Sequence, residues 1–393
     1  MSKIKIDLER DKNLTPFGIS TIQDRYLDKN ETSPQQAFAR AAKYVSTYRG
    51  KVDWDMAQRI YDYASKTWFG FSSPILSNAG TKKGLPISCF LNYVPDSRRG
   101  LSDHYDENIW LASNGGGIGG YWGDIRSDGT STSHGSMSTG SIPFMRVVDS
   151  QMLAFNQGTT RRGSYACYMN VSHPEIEEFL FMRKSSGGDA NRKCLNLHHG
   201  INISDDFMNA VSKNIDWKLI DPHSKKVAKS INARELWRLI LETRHETGEP
   251  YLHFIDTSNK NLPESQKKLG LKVNQSNLCS EITLPTDDDR TAVCCLSSVN
   301  LAQYDEWSTS ATFIPDMIRM LDNVLEHFIM ATYNFSYDYK GDIINMKVKD
   351  DMSGFKKSGY SAYRERSIGL GAMGFHTYLQ KLNVPFDSPI ATG

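Results

Sequence analysis

Asn277, Cys279 and Glu281 set a carboxamide, a thiol and a carboxylate on alternate residues of the stretch Asn274-Gln-Ser-Asn-Leu-Cys-Ser-Glu-Ile282. In an extended backbone, side chains two residues apart share one face. The spacing therefore predicts that all three enter one pocket from one short segment. A thiol flanked by a hydrogen-bonding amide and a potential base is equipped for reaction as well as for packing. A lone cysteine is more often a small buried hydrophobe, but the alternation and two further cysteines weigh towards chemistry here.

Those two lie in short apolar runs. Ile87-Ser-Cys-Phe-Leu-Asn92 reads as a strand holding Cys89, and Ala292-Val-Cys-Cys-Leu-Ser-Ser-Val-Asn-Leu301 as a strand holding Cys294 and Cys295 on opposite faces. Neither CxxC nor CxxxH spacing occurs, which argues against a structural zinc site. The pair His198-His199 has no second ligand pair at a suitable spacing, and neighbouring strand residues face opposite ways, so no metal is expected there. Six cysteines in 393 residues are not a disulfide framework. A reducing cytoplasm is the expected setting, with any disulfide transient and catalytic.

Two polar loops and a glycine run complete the candidate features. Gly115, Gly117 and Gly120 fit GxGxxG, but a dinucleotide fingerprint follows a strand and opens a helix. Here the glycines are expected to close a helix and lead into Tyr121-Trp122, so a nicotinamide site is not expected. Residues 127–141 are polar and poor in large side chains, which fits either a solvated loop or a ligand-contacting one. The loop Asn156-Gln-Gly-Thr-Thr-Arg-Arg-Gly163 carries Arg161 and Arg162 side by side. Paired guanidinium groups suit phosphate or base recognition, or form a solvated charge pair.

The elements that must hold these residues are legible from period and punctuation. The first 85 residues read as helical, with Ser33-Pro34 and Asp53 as helix starts and the second helix ending at Gly70. Helices are expected from about Ser102 to Ser113 and from Ile142 to about Phe155. Strands at Ser164–Val171, His198–Ile203 and Tyr251–Ile255 alternate with helices at Pro174–Arg183, Asp205–Ser212 and Ala233–Thr247, the pattern of a largely parallel α/β sheet or barrel. A long helix is expected over Pro315–Tyr333, a charged surface segment over Lys347–Arg366, and a strand-to-helix unit from Ile368.

Composition is that of an ordinary soluble chain, 39% hydrophobic and 23% charged. A formal charge of +1 gives no reason to expect a nucleic-acid or membrane surface. No apolar run approaches a membrane span, and Met-Ser-Lys-Ile-Lys-Ile-Asp lacks a signal-peptide core.

Taken together, Ile87-Ser-Cys-Phe-Leu, Asn277-Leu-Cys-Ser-Glu-Ile and Val293-Cys-Cys-Leu-Ser-Ser-Val-Asn-Leu301 resemble the large, catalytic subunit of class I ribonucleotide reductase. Ser73-Pro-Ile-Leu-Ser, Gly117-Ile-Gly, Ser138-Thr-Gly-Ser-Ile-Pro-Phe144 and Arg366-Ser-Ile-Gly-Leu-Gly support it in the family's order. The resemblance implies an α/β fold: an incomplete ten-stranded α/β barrel with a finger loop through its centre. Its regions would be a helical N-terminal part (1–85), a first half-barrel with specificity loops (86–270), the finger loop (271–290) and the start of the second half-barrel (291–393).

The implied reaction is radical reduction of ribonucleoside diphosphates to 2′-deoxyribonucleotides. Cys279 would become a thiyl radical and take the substrate's 3′ hydrogen, Glu281 would act as base on the 3′ hydroxyl, and Asn277 would hold the substrate. Cys89 and Cys294 would supply reducing equivalents and end as a disulfide re-reduced by exchange. Cys294 is chosen because the family's cysteine lies six residues before the Asn-Leu matched by Asn300-Leu301. Cys295, Cys167 and Cys194 would pack. Ser73 and Ser88 match substrate-contacting positions, Ser88 near the phosphates. Asp96 and Arg126 match the site of a dNTP or ATP effector, and Gln157 and Arg161 lie on the loop linking effector to substrate base. Arg162 departs from the family's usual glycine or proline. Leu278 favours class I over the cobalamin-dependent class.

The family's N-terminal nucleotide-binding cone has no match, nor do its later barrel strands, phosphate loop, tyrosine relay and tail cysteines. The expected partners are a metal-containing small subunit that generates the radical, a companion chain completing the barrel, thioredoxin or glutaredoxin, and a second copy in a homodimer. No metal is expected on this chain itself. The alternative is a catalytically inactive nucleotide-binding regulatory protein derived from a reductase.

Overall fold

The computed structural model describes residues 3–87, 89–155, 162–338, 340 and 342–392. The chain divides into two compact units. One comprises Met1–Ser88, Cys294–Lys349 and Ala362–Gly393, the other Cys89–Val293 and Asp350–Ser361.

The first unit begins with helices set by their caps. Ser33 accepts from the Gln35 amide, and the Gln36 side chain accepts from the Ser33 amide, a capping box that starts α1 (Pro34–Val45). Asp53 accepts from the Met56 amide at 3.0 Å and starts α2 (Trp54–Ser65). Ala37, Ala41, Ala42 and Val45 on one helix, and Met56, Ala57 and Ile60 on the other, are buried. The second helix stops at Ser65 and not at Gly70. Thr67 turns into the left-handed region (φ 61°), and Phe69–Phe71 is then a short strand.

The second unit is built on five parallel strands, β1 (Cys89–Tyr93), β2 (Gly117–Tyr121), β3 (Ser164–Asn170), β4 (His198–Ile203) and β7 (Tyr251–Phe254), in the order β7-β4-β3-β2-β1. Helices α3 (Arg98–Ser113), α4 (Ile142–Ala154) and α5 (Ala233–Thr247) fall among the connections. The glycine run corrects the sequence reading. Gly115 (φ 76°) does follow the end of α3, but Gly117–Tyr121 is itself an interior strand. Its glycines answer close approach: a Cβ on Gly119 would lie 2.2 Å from the Ser276 carbonyl oxygen, and one on Gly120 would lie 1.6 Å from the Tyr165 hydroxyl.

Between β4 and α5 stands an antiparallel hairpin that the sequence reading left unassigned, β5 (Asp216–Ile220) with β6 (Val227–Asn232). Most of its residues are exposed and Leu219 alone is in the core, so the short Trp217/Leu219 alternation is too slight to mark it.

In the first unit, the Cys295–Asn300 part of β8 (Ala292–Asn300) pairs parallel with β9 (Ile368–Met373) and, over Ser297–Val299, antiparallel with Phe69–Phe71. Helix α6 (Phe313–Thr332) buries Met317, Met320, Leu321, Val324 and Phe328. Lys347–Arg366 is not a plain surface segment. Within it Asp350–Ser361 belongs to the second unit, where Phe355 is fully buried with its ring 6.3 Å from that of Trp110. The flanking charges hide that anchor in the sequence. Among the described residues no helix is long and apolar enough to cross a membrane.

Candidate active site

The stretch 274–282 is a loop held by backbone carbonyls and side chains of successive strands of the parallel sheet. Gln275 Nε2 donates to the carbonyls of Asn92 (2.8 Å) and Gly119 (3.2 Å), on β1 and β2. The Tyr168 hydroxyl of β3 donates to the Asn277 carbonyl at 2.7 Å, and Asn202 Nδ2 of β4 to the Asn274 carbonyl at 2.6 Å. Thr286 closes the base, its hydroxyl donating to Gln275 Oε1 while its carbonyl accepts from Asn274 Nδ2. Sequence reasoning missed Gln275 and Tyr168 as supports. Gln275 stands within the motif, but a long-range partner leaves no local pattern.

The extended alternation expected for Asn277, Cys279 and Glu281 does not occur. The chain turns at Leu278-Cys279, and Ser280 takes φ 67°. Asn277 Oδ1 accepts from the backbone amides of Glu281 (3.0 Å) and Ile282 (3.1 Å), which requires the reversal. Asn277 is therefore wholly buried beneath the turn, while Cys279 and Glu281 are exposed on it. The three remain neighbours, arranged by a tight loop and not by strand alternation. Asn277 Nδ2 is buried with no protein partner. A buried amide left so costs free energy unless something else accepts from it.

The other thiols fall into distinct settings. Cys89 is half-buried at the first residue of β1, in the same unit as Cys279. Cys294, in the other unit, is 5% exposed, and its Sγ lies 3.3 Å from where a Cβ on Gly369 of β9 would stand. Cys295, Cys167 and Cys194 are buried. Burial pushes the Cys167 thiol well above its ordinary range and the Cys194 thiol up to about 12, as befits packing residues.

His198 and His199 both turn Nδ1 to the Glu249 carboxylate, at 3.0 Å for His199, and Arg183 donates to the same group at 2.7 Å. Burial acts to raise the Glu249 pKa, the two histidines and Arg183 together outweigh it, and the net direction is down. Among the described residues no cluster of three or more His, Cys, Asp or Glu could hold a metal ion. Ser73 opens the helix Ser73–Asn78, its Oγ 3.0 Å from the Tyr26 hydroxyl. Ser88, Gln157 and Arg161 lie outside the described residues.

Asp96 and Arg126 come together. Arg126 Nε reaches both carboxylate oxygens, at 3.1 and 2.9 Å, and its Nη1 donates to the Ser131 carbonyl at 3.2 Å. They line a cavity of about 540 Å³ whose wall includes Thr132, Ser133, His134 and Thr139 of the polar stretch. The cavity is roomy enough for a nucleotide-sized ligand.

The family descriptions that match are "Ribonucleotide reductase, barrel domain" over residues 87–393 and "Ribonucleotide reductase, all-alpha domain" over residues 12–84. A ribonucleoside-diphosphate reductase large subunit of Invertebrate iridescent virus 3 is 40% identical over 439 aligned residues, covering 98% of this chain and 65% of that protein. The protein of the same name in Invertebrate iridescent virus 6 is 46% identical over 297 residues, 73% of this chain and 30% of that one. Among solved structures, the Actinobacillus ureae class Id ribonucleotide reductase alpha subunit superposes with a TM-score of 0.79 at 30% identity, covering 98% of this chain and 64% of that one. The chain thus spans less than two thirds of the length of each of these relatives. The helical start and the parallel strands match an incomplete barrel of that kind.

Proposed function

The chain belongs to the ribonucleotide reductase large-subunit family, and from that premise we propose that it carries the radical cysteine of a ribonucleoside-diphosphate reductase. The observation that carries the proposal is the loop tip, with an exposed thiol at Cys279, an exposed carboxylate at Glu281, and beneath them a buried Asn277 amide lacking a protein acceptor. Asn277 holds the substrate, a substrate hydroxyl giving Nδ2 the acceptor that the protein does not.

In this reading the Cys279 thiyl takes the 3′ hydrogen while Glu281 takes the 3′ hydroxyl proton. Cys89 and Cys294 then give two hydrogens, one leaving with the 2′ hydroxyl as water and one going to C2′, and the two sulfurs join. Glu281 returns its proton to the 3′ oxygen and Cys279 returns the 3′ hydrogen, which regenerates the thiyl. Thioredoxin or glutaredoxin restores the thiols by exchange, which fits a cytoplasmic setting. Ser73 and Ser88 contact the substrate, Ser88 near its phosphates. Asp96 and Arg126 hold a dNTP or ATP effector, and Gln157 and Arg161 convey its identity to the substrate base. The radical comes from a metal-containing small subunit, and a companion chain supplies the remaining barrel strands. We assign the same fourfold division of regions as the sequence reading, and a homodimer as the working assembly.

The test is Cys279→Ala in the enzyme reconstituted with its small subunit. Loss of deoxyribonucleotide formation with effector binding retained supports the proposal, and retained turnover refutes it.

A further inference from the structure

Asp221 divides its carboxylate between two segments. Oδ1 accepts from the amides of His223 (3.2 Å) and Ser224 (2.6 Å), closing the turn between β5 and β6. Oδ2 serves a different part of the chain. It accepts from the Ser127 amide at 2.8 Å, the Ser127 hydroxyl at 2.8 Å and the Thr130 hydroxyl at 3.0 Å. The residue is 3% exposed. Burial acts to raise its pKa, but the donors from Ser224 and Ser127 outweigh burial, so the group stays a carboxylate. A hairpin needing only its own turn would use Oδ1 alone.

The segment held by Oδ2 is the base of the polar loop. From that base the chain folds back on itself, with Gly129 donating to the Ser138 carbonyl, Ser138 to Thr130 and Thr132 to Ser136. Its outer residues wall the 540 Å³ cavity beside Asp96 and Arg126. A second contact brings the same turn to the cavity independently: His223 Nδ1 lies 3.4 Å from Asp96 Oδ2, on the carboxylate that Arg126 also holds. The loop contains few large side chains and little apolar burial of its own, so hydrogen bonds at its base must order it.

We propose that the turn of the β5–β6 hairpin is part of the effector site, with Asp221 the positioning residue that orders the loop Ser127–Ser138 against a bound nucleoside triphosphate. The inference rests on the effector reading of Asp96 and Arg126. Charge-assisted bonds from backbone and hydroxyl donors are among the stronger ones available to a loop, and preorganising the loop lowers the ordering cost of binding.

The experiment is equilibrium binding of dTTP to the full chain and to Asp221→Asn, Thr130→Val, Thr130→Ser and Arg126→Ala variants, each checked for its melting temperature. The expected result is at least tenfold weaker binding for Asp221→Asn, several-fold weaker for Thr130→Val, and wild-type affinity within twofold for Thr130→Ser, which restores the hydroxyl. Amide exchange should rise at 127–130 in the first two. Affinity within twofold of wild type for a folded Asp221→Asn, while Arg126→Ala loses binding, overturns the inference and leaves the effector reading standing. Should Asp221→Asn not fold, the threonine pair decides, and equal affinities for Val and Ser overturn the inference. A wild-type chain that does not bind dTTP removes the effector reading and this inference with it.

Discussion

Asn277 and Glu281 are joined across the turn that presents Cys279: the Asn277 side-chain oxygen accepts the Glu281 backbone amide at 3.0 Å and the Ile282 amide at 3.1 Å. One carboxamide thus shapes the loop with its oxygen, while its nitrogen has no protein acceptor. Asn277→Ala removes the first and, in the function proposed above, the hold on the substrate. The expected cost is ~1–3 kcal/mol of stability, chiefly for the buried Ile282 amide left unpaired, read as a lower urea midpoint, together with loss of turnover in the reconstituted enzyme. An unchanged midpoint would contradict the role given to the oxygen.

Gly119 is the second support that a single atom should break. A Cβ there meets the Ser276 carbonyl at 2.2 Å and the Asn277 Cα at 2.7 Å, both backbone and unable to swing aside. Gly119→Ala is expected to cost ~1–3 kcal/mol through overpacking and to displace the loop, so that the alkylation rate of Cys279 changes. Gly135, whose absent side chain faces open space, provides the comparison, although its φ of 77° makes an alanine there strained in backbone alone.

How much of this was legible in the sequence follows from the range of the interactions. Caps at Ser33 and Asp53, and the apolar runs around Cys89 and Cys294, act over a few residues and were read correctly. Gly117–Tyr121 was misread because its glycines answer to Ser276 and Tyr165, more than 40 residues away in the chain. The Asn277-Cys279-Glu281 spacing identified the residues while giving the wrong geometry, since alternation cannot show that Asn277 folds back on Glu281. The β5–β6 hairpin buries little beyond Leu219, so its role at Asp221 has no hydrophobic signature.

Acid should destabilise the chain through its buried histidines, against an opposing contribution from Glu175, whose carboxyl burial pushes up to about 7. Burial pushes His104 down to about 3, with Lys357 adding to the effect, and burial pushes His253 down to about 4. Both are neutral when folded, whereas the unfolded chain takes up these protons near 6.5. The stability they contribute is full above pH 6.5 and is lost as pH falls from there towards 4, at up to ~1.4 kcal/mol per pH unit for each group. Urea midpoints measured between pH 7 and 4.5 should fall, and His104→Gln should flatten the slope. A slope unaffected by that change would contradict the assignment.

Thiol labelling separates the cysteines by setting. Iodoacetamide at pH 8 followed by peptide mass spectrometry should modify Cys279 first. Cys167 and Cys194, buried and with raised pKa, should react only on unfolding. Early labelling of Cys194 would show that its surroundings open far more readily than the packed structure allows.

We propose Cys279 as the radical-bearing thiol of a ribonucleotide reductase, and the yield of deoxycytidine diphosphate from cytidine diphosphate tests it, measured for wild type and Cys279→Ala in the enzyme assembled with its small subunit and all parts of the catalytic subunit. The wild type should turn over and the variant should give no product above background, with dTTP binding unchanged. Turnover by the variant within tenfold of wild type would contradict the proposal.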